Sequence, residues 1–519
     1  MKIELMGSID YKKLAEYLDE KIEEITNNNF IGNPEVEKII NVLIKLKSQL
    51  IEEIKQLEKD GRANIVATAG RLSRYPGTVF EILEIVQEKN LEKNTNFIKK
   101  VINMGHDSIL ELDHCVFAIE SVSPIVEQTI IEERFASFTI KSRREVDFSK
   151  VGFYTPDFRD ENGTLLSNNE QIKKEYQNYM KTLFDSYSYF VENDINKEDA
   201  RFVLPYCYHS NIIMGINART LKDMIIKFTK TKYSKIQELK ELGEKLYNIA
   251  KENIPSIIDE IDKVPYEPID KIESYLNKVE KNEKKYKILE KPQLITCTNN
   301  IDETILISAI MRRYQYDYET AQKLYKKLIQ NKLIASELMK KIAFEGDSRE
   351  FAQVSFQFQI PLSLAVLTHF TRHRTHPIMV PDFCPNFDLE QFKIPPKINA
   401  NEELNQVYKK IYELNKKMYD KFKNDYHVSE EDLIYFTLSG NMVNVVSNLD
   451  GKTLKHILRL RECNKAQWET RQMAIQMHKE IDKLETAKIY STTLGATCTT
   501  QGYCKEGKES CGKIKTIKK

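Results

Sequence analysis

Residues 370–383, FTRHRTHPIMVPDF, place two arginines and two histidines within five positions, beside Pro377 and Pro381. Two guanidiniums flanking an imidazole can grip a phosphate in bidentate fashion and stack on an aromatic ring. The plainer reading is a solvated helix end whose cations suit the helix dipole. A second basic stretch, KSRREVDF, carries Ser142 and Arg144; hydroxyls and arginines in one loop suit a phosphate, although a charged surface loop has the same composition. A third set is sulfur: Cys498, Cys504 and Cys511 are separated by five and six residues. In a reducing compartment such a cluster points to a metal such as zinc before disulfides. Zinc sites more often show Cys-x-x-Cys pairs, and the fourth ligand would be Cys463 or a histidine. A floppy tail with reactive thiols and a disulfide stay open. No Ser-His-Asp or Cys-His set for nucleophilic catalysis is visible.

The elements that must carry these groups fall into a duplicated pattern. GHDSILELDHCVFAIESVSPIVEQTIIEERFASF, from Gly105, meets EGDSREFAQVSFQFQIPLSLAVLTHFTRHRTHPI at a shift of 240 without a gap. EDARFVLPYCYHSNIIMGINARTLKDMIIKF meets EDLIYFTLSGNMVNVVSNLDGKTLKHILRLR at a shift of 233. Two matches in the same order indicate a tandem duplication. In each copy an alternating stretch (HCVFAIE, QVSFQFQI) predicts a half-buried strand, followed by an apolar helix, a loop and long helices. Two such mixed α/β units can pair about a pseudo-twofold axis, as subunits of a homodimer would.

Ahead of the first copy, YKKLAEYLDEKIEEI and VEKIINVLIKLKSQLIEEIKQLEK predict helices. Between the copies, VPYEPIDKIESYLNKVEKNEKKYKILEKP predicts a charged connector. The expected organisation is α+β: a helical extension over 1–62, a first unit over 63–265, a linker over 266–291, a second unit over 292–490 and a cysteine-containing tail over 491–519.

The 519 residues include 41% hydrophobic residues, and 78 Lys+Arg against 77 Asp+Glu leave a net charge of +1. That is ample core for two or three domains, with no general pull toward nucleic acid or anionic membrane, so an anion site must be local. No apolar run is long enough to span a membrane, and the N-terminal stretch lacks a signal-peptide core. The expectation is a cytoplasmic protein without nucleic-acid or membrane partners.

Arg372-His373-Arg374, after a strand and an apolar helix and with AQWETRQMA downstream, resembles the flavin-dependent thymidylate synthases, the ThyX family. The family signature runs Arg-His-Arg, two residues, Ser, one residue, Asn-Glu, one residue, Ser, one residue, Arg. The second copy keeps the triplet and has Pro377 at the first serine. The first copy has Glu132-Glu133-Arg134 for the triplet, then Ser137, Ser142 and Arg144 in register, with Thr139-Ile140 replacing Asn-Glu. The family's Gly-His-x-Ser/Thr-x-x-Glu stands as Gly105, His106, Ser108 and Glu111, of which only Ser348 survives in register in the second copy. Ala-Arg-x-x-Leu-Pro stands as ARFVLP with Arg201, whose counterpart is Ile434. Asn-x-Arg-x-Leu stands as NARTL from Asn217. His456 and Arg461 survive only in the second copy, and Phe228 holds the place of Arg461 in the first.

The resemblance implies a divergent, tandem-duplicated ThyX form: two ThyX-like units forming a pseudo-dimer. It implies a flavin-dependent methyltransferase acting on dUMP or a related pyrimidine nucleotide, with FAD as cofactor and NADPH and methylenetetrahydrofolate as co-substrates. The expected oligomer is a homodimer mimicking the family homotetramer. Carried over residue by residue, Arg372, Arg461 and Arg201 would be catalytic. Cofactor contacts would come from His106, Ser108, Glu111, Asn217, Ser348, Arg372, His373, Arg374, His456 and Arg461. Nucleotide contacts would come from Ser137, Ser142, Arg144 and Arg201. Because the signature is divided between the copies, the expectation is a composite site in which the second-copy triplet serves a pocket of the first. A flavoprotein with another substrate, or an inactive nucleotide-binding protein, would also fit the divided motif.

Overall fold

Strand alternation in both copies produces two antiparallel four-stranded sheets of the same order. The first contains β1 (Lys2–Met6), β2 (His114–Val122), β3 (Ala136–Ile140) and β4 (Ser210–Asn217), arranged β1-β2-β4-β3. The second contains β5 (Gln293–Cys297), β6 (Ser355–Ser363), β7 (Ile378–Met379) and β8 (Met442–Asp450), arranged β5-β6-β8-β7. Cys115, Phe117 and Ile119 of β2, and Phe356, Phe358 and Ile360 of β6, are buried. They sit at every second position, as a sheet with one covered face requires. The computed structural model describes residues 1–6, 11–27, 34–279, 287–382 and 388–514. Part of the expected linker and Cys384 lie outside the described residues; the linker's 271–279 stretch is a helix, Lys271–Val279.

The N-terminal stretch does not stand apart as a helical extension. Its first residues are the edge strand β1, paired with β2 from Lys2↔Glu120 to Met6↔Val116. The two expected helices are present as α1 (Tyr11–Asn27) and α2 (Pro34–Leu72). The boundary drawn at residue 62 falls inside α2. Arg62 there donates from Nε to Asp113 Oδ1 at 2.7 Å, tying the helix to the start of β2.

The compact units also cut across the tandem boundary. One comprises residues 1–122, 135–141 and 209–281; the other comprises 123–134, 142–208 and 282–519. Two parts of the first copy, α3 (Pro124–Ile131) and the segment with α4 (Asn169–Glu192), thus belong to the second unit. The first unit keeps α5 (Ala218–Lys230). The second adds α6 (Leu364–Thr371), α7 (Glu402–Asn424), α8 (Gly451–Arg461) and α9 (Trp468–Asp482).

Aromatic packing explains why the first copy's helices join the second unit. Phe158 and Tyr176 pack against Phe422 and Phe436, with ring centroids 5.5 Å apart for Phe158–Phe422 and for Tyr176–Phe436. Each buried ring contributes on the order of 2 kcal/mol. Tyr179 donates its hydroxyl to Asn415 Oδ1 at 2.8 Å, and Asn415 Nδ2 donates to the Phe436 carbonyl at 2.7 Å.

Beside these rings, equivalent backbone segments of the two copies meet. The N–H of Tyr206 donates to the Thr437 carbonyl at 2.7 Å, and that of Ser439 donates to the Leu204 carbonyl at 2.9 Å. At the shift of 233, each bond is the image of the other, and Pro205 bridges its own counterpart, Leu438. That reciprocity is the signature of an isologous contact. Gly440 is required here. A Cβ on it would come within 2.1 Å of the Tyr412 hydroxyl and 3.1 Å of the Phe202 carbonyl.

Candidate functional site

The second unit gathers the basic residues of both copies. From the first copy come Arg143, Arg144 and Arg201. From the second come Arg372, which caps the C-terminus of α6, and Arg461, which ends α8. Arg144, Arg201, Arg372 and Arg461 all act on the buried ring of His369, whose pKa is driven well below the ordinary range by burial first and by these cations next.

Arg201 is the most informative of them. It follows the short helix Lys197–Ala200, capped by Asn196, in a stretch whose apolar residues Ala200, Phe202, Val203 and Leu204 force the backbone inward. The side chain is only 3% exposed, and its Nε and Nη2 atoms are buried without a hydrogen-bond partner. Burial, and then repulsion from Arg143, push its pKa down to about 10 despite Glu198 nearby. A buried cation left with open donors is expensive, several kcal/mol in a protein interior, unless an anion completes it.

Its neighbours are held in place by specific partners. Arg143 is buried and donates to Glu127 Oε1 on α3 at 2.5 Å, and to the Tyr208 hydroxyl. Burial works against its charge, but Glu127 and Tyr208 outweigh that and raise its pKa. The Arg144 guanidinium pairs with Glu198 and donates from Nη2 to the Lys465 carbonyl at 3.3 Å. The Ser142 hydroxyl accepts from the Arg144 N–H at 3.3 Å, which closes the loop on itself. Trp468, the single tryptophan, donates from Nε1 to Asp199 Oδ1 at 2.8 Å and stacks on Phe202 with ring centroids 6.0 Å apart. It thereby braces the turn that carries Arg201. Burial raises the Asp199 carboxyl despite these bonds.

The triplet and α8 interlock. Arg461 donates from Nε to His373 Nε2 at 3.1 Å and from Nη2 to the His369 carbonyl at 2.6 Å. A guanidinium can only donate, so His373 accepts as a neutral ring. Its pKa agrees: burial first, then Arg461, push it down to about 3. His456, on α8, packs edge-on against His373 at 5.6 Å and 82°. Arg461 itself is lowered to about 10 by burial and then by Arg372 and Arg144. Arg372 and Arg374 have exposed side chains. The second unit therefore brings Ser142, Arg144, Arg201, Arg372, His373, His456 and Arg461 of the expected residues onto the same set of elements. Ser348 is also in this unit, but its buried hydroxyl donates to the Ile342 carbonyl at 3.0 Å, which closes a helix end.

The remaining expected residues belong to the first unit. His106, Ser108 and Glu111 are exposed on the turn before β2, after Gly105 at φ +83°. Arg219 donates from Nη1 to Glu111 Oε1 at 2.5 Å, and Asn217 accepts from the Thr220 N–H at 2.8 Å to cap α5. Ser137 is exposed on β3, opposite Gly215.

Sequence reasoning passed over His369, Arg143, Glu127 and Asp199. His369 precedes the triplet by three positions on the same helix, and Arg143 adjoins Arg144, so proximity was the available signal. Glu127 and Asp199 carried none, because their partners lie elsewhere in the sequence. The terminal cysteines Cys498, Cys504 and Cys511 line one cavity together with Cys463. Among the described residues no group of three or more His, Cys, Asp or Glu is gathered closely enough to hold a metal ion.

Comparison with known proteins gives a consistent picture. The family model described as thymidylate synthase complementing protein matches residues 54–256 and again 293–484. A flavin-dependent thymidylate synthase of Geobacter sulfurreducens is 32% identical over 156 residues, covering 30% of this chain and 64% of that protein. One of Sulfolobus acidocaldarius is 33% identical over 172 residues, covering 31% of this chain and 58% of the relative. The chain thus spans a little under two thirds of the length of these relatives. Among solved structures, ThyX from Helicobacter pylori with FAD and dUMP matches at 20% identity and a TM-score of 0.30, covering 39% of this chain and 95% of that one. A likeness at that level carries no argument.

Proposed function

Because the chain belongs to the thymidylate synthase complementing protein family, the ThyX family, matched twice along its length, we propose that it is a flavin-dependent thymidylate synthase-type methyltransferase. It transfers a one-carbon unit from methylenetetrahydrofolate to dUMP or a related pyrimidine nucleotide, with NADPH as reductant. The observation that carries the reading is Arg201, a buried guanidinium with two open donors amid four further arginines contributed by both copies. Such a set fits an organic phosphate, which satisfies several guanidiniums at once.

The residues also fit the group that the family implies. FAD is anionic through its pyrophosphate, and when bound it supplies the hydride and relays the one-carbon unit. Arg372, Arg374, His373, His456 and Arg461 would hold it from the second copy. His106, Ser108, Glu111 and Asn217, carried over from the family motifs, are the cofactor residues proposed for the first unit.

The chain's own residues then have separable tasks. Arg201 and Arg144 bind the nucleotide phosphate, and Ser142 shapes the loop that presents Arg144. Anion binding relieves the mutual repulsion of the arginines, so the depressed Arg201 and Arg461 shift back toward ordinary values. His373, held neutral, orients Arg461 by accepting its Nε–H, and Arg461 fixes the end of α6 through the His369 carbonyl. Trp468 and the buried Tyr206 and Tyr208 place apolar rings beside Arg143 and Arg201, and such low-dielectric surroundings strengthen charge interactions with a bound phosphate.

The duplicated chain would form a homodimer equivalent to the family homotetramer. Thr139-Ile140, in place of the signature's Asn-Glu, favours a second reading in which the pyrimidine differs from that of dUMP. Absorption titration of the purified protein with FAD, then with dUMP and other pyrimidine nucleotides, tests both. A flavin band perturbed by dUMP supports the first reading; a band perturbed only by another nucleotide supports the second. Absence of flavin binding would overturn both.

A further inference from the structure

The C-terminal cysteines are not absorbed by the nucleotide chemistry. Cys463 follows α8, and the chain returns more than thirty residues later to bring Cys498, Cys504 and Cys511 to the same cavity. The cavity offers about 30 Å³ to water-sized groups, room for one metal ion. No other described cysteine lines it. Cys115 and Cys207 are buried elsewhere, and Cys297 lies on the edge strand β5.

The backbone around the thiols is built from tight turns. Gly502, Gly507 and Gly512 have φ values of +75°, +53° and +76°, a region that residues with a Cβ seldom adopt. They sit just before Cys504, between Cys504 and Cys511, and directly after Cys511, so the chain reverses at each approach to the cavity. Asn464, adjoining Cys463, donates from Nδ2 to Cys511 Sγ at 3.6 Å and is itself held by Arg471 at 3.1 Å.

We propose that Cys463, Cys498, Cys504 and Cys511 bind one soft, tetrahedral divalent cation of the zinc class, with Cys463 as the ligand that anchors the tail to the end of α8. The four cysteines line one cavity without forming a ready-made ligand set. Neutral thiols have no attraction that would gather them, and thiolates repel one another. Convergence therefore needs the cation, which displaces the thiol protons as each metal–sulfur bond forms. Four thiolates and no water make this a closed, structural type of site.

The site has a consequence for the loop it fixes. Lys465, two residues after Cys463, offers its carbonyl to Arg144. Metal loss would loosen that support and weaken the phosphate grip, a consequence that rests on the functional reading above; the metal itself does not.

The full-length protein, purified under reducing conditions and incubated with zinc, is analysed by elemental mass spectrometry after desalting. The expected result is one zinc per chain, lost in Cys463→Ser and retained in Cys297→Ser. Titration of the metal-free wild type with Co²⁺ should give thiolate-to-cobalt charge-transfer absorption, which keeps the proposal testable if a variant fails to fold. A wild type that retains no zinc and shows no such absorption overturns the site. So does an intact mass short of hydrogens by one disulfide that persists in reductant, or Cys463→Ser that binds zinc like the wild type. A chelator that removes the zinc should also weaken nucleotide binding severalfold. Zinc removal without that change confirms the metal and rejects only its link to Arg144.

Discussion

The ARFVLP turn of the first copy and its counterpart LIYFTL in the second share a backbone but not a chemistry. Both continue from a short helix, Lys197–Ala200 or Glu430–Leu433, into a single 3-10 turn. Both bury the residue that follows the short helix, Arg201 at 3% and Ile434 at 4% exposure. The preceding aspartates differ in partner. Asp199 accepts from Trp468, whereas Asp432 accepts from Arg159, with Nη2 at 2.7 Å from Oδ1. One copy keeps a buried cation with open donors. The other fills the same place with a methyl-rich side chain and closes its carboxylate with a salt bridge. Arg461 against buried Phe228 repeats the contrast with the copies exchanged, whereas Arg372 and His373 stand against half-buried Glu132 and Glu133, a change of charge and not of polarity. Packing alone would favour the second solution. The polar version carries a cost that an anionic ligand would remove, which is why the first-copy turn, joined with the second-copy triplet, is proposed as the binding site.

The largest break in this comparison should come from exchanging the two solutions. Ile434→Arg buries a cation where no counterpart of the arginine cluster's ligand is expected, and should lower the unfolding free energy by about 3–5 kcal/mol in a denaturant titration. Arg201→Met should do the opposite on the other side. Stability should hold or rise, while affinity for a nucleotide phosphate falls by roughly 1.5–3 kcal/mol, measured calorimetrically. Asp432→Asn should cost about 2 kcal/mol of stability through the loss of the Arg159 pairing and leave nucleotide affinity unchanged. An effect on affinity there would show that the two turns are coupled.

An effect spread over several pH units, and small across any one of them, should appear in the pH dependence of stability. The folded-state pKa of His373 is about 3, below its unfolded value of roughly 6.5. Below 6.5 the unfolded chain binds the proton and the folded chain does not. Stability is therefore fully present above pH 6.5 and falls with a slope approaching about 1.4 kcal/mol per pH unit as acid is added, levelling near 3. His373→Asn should flatten that slope between pH 6 and 5. An unchanged slope would mean the ring is already charged when folded, and the Arg461 contact would then be lost.

Much of the frame was legible in the sequence because it is local. Period-two alternation gave β2 and β6, and the shift of 240 placed α3 and α6 in register from Ser123 and Ser363. Even there one identity concealed a change of role: Ser123 caps α3, while the Ser363 hydroxyl donates to buried Glu469 at 2.7 Å. What was not legible depends on distant partners. β1 is five residues whose strand character comes from pairing with β2 more than a hundred positions away, so the helices after it dominated the local signal. The division into compact units follows aromatic packing between the copies, which no periodicity within one copy records. The triplet, Arg144 and Arg201 were visible as residue types. His369 as their common neighbour, and Glu127 as the partner of Arg143, were not.

The most direct test compares wild type with Arg201→Met by visible absorption, each loaded with FAD and titrated with dUMP. Both proteins should hold flavin, and dUMP should perturb the flavin band of the wild type but not of the variant at the same concentrations. An Arg201→Met protein that responds to dUMP as the wild type does would contradict it, and the buried arginine would need an explanation outside nucleotide binding.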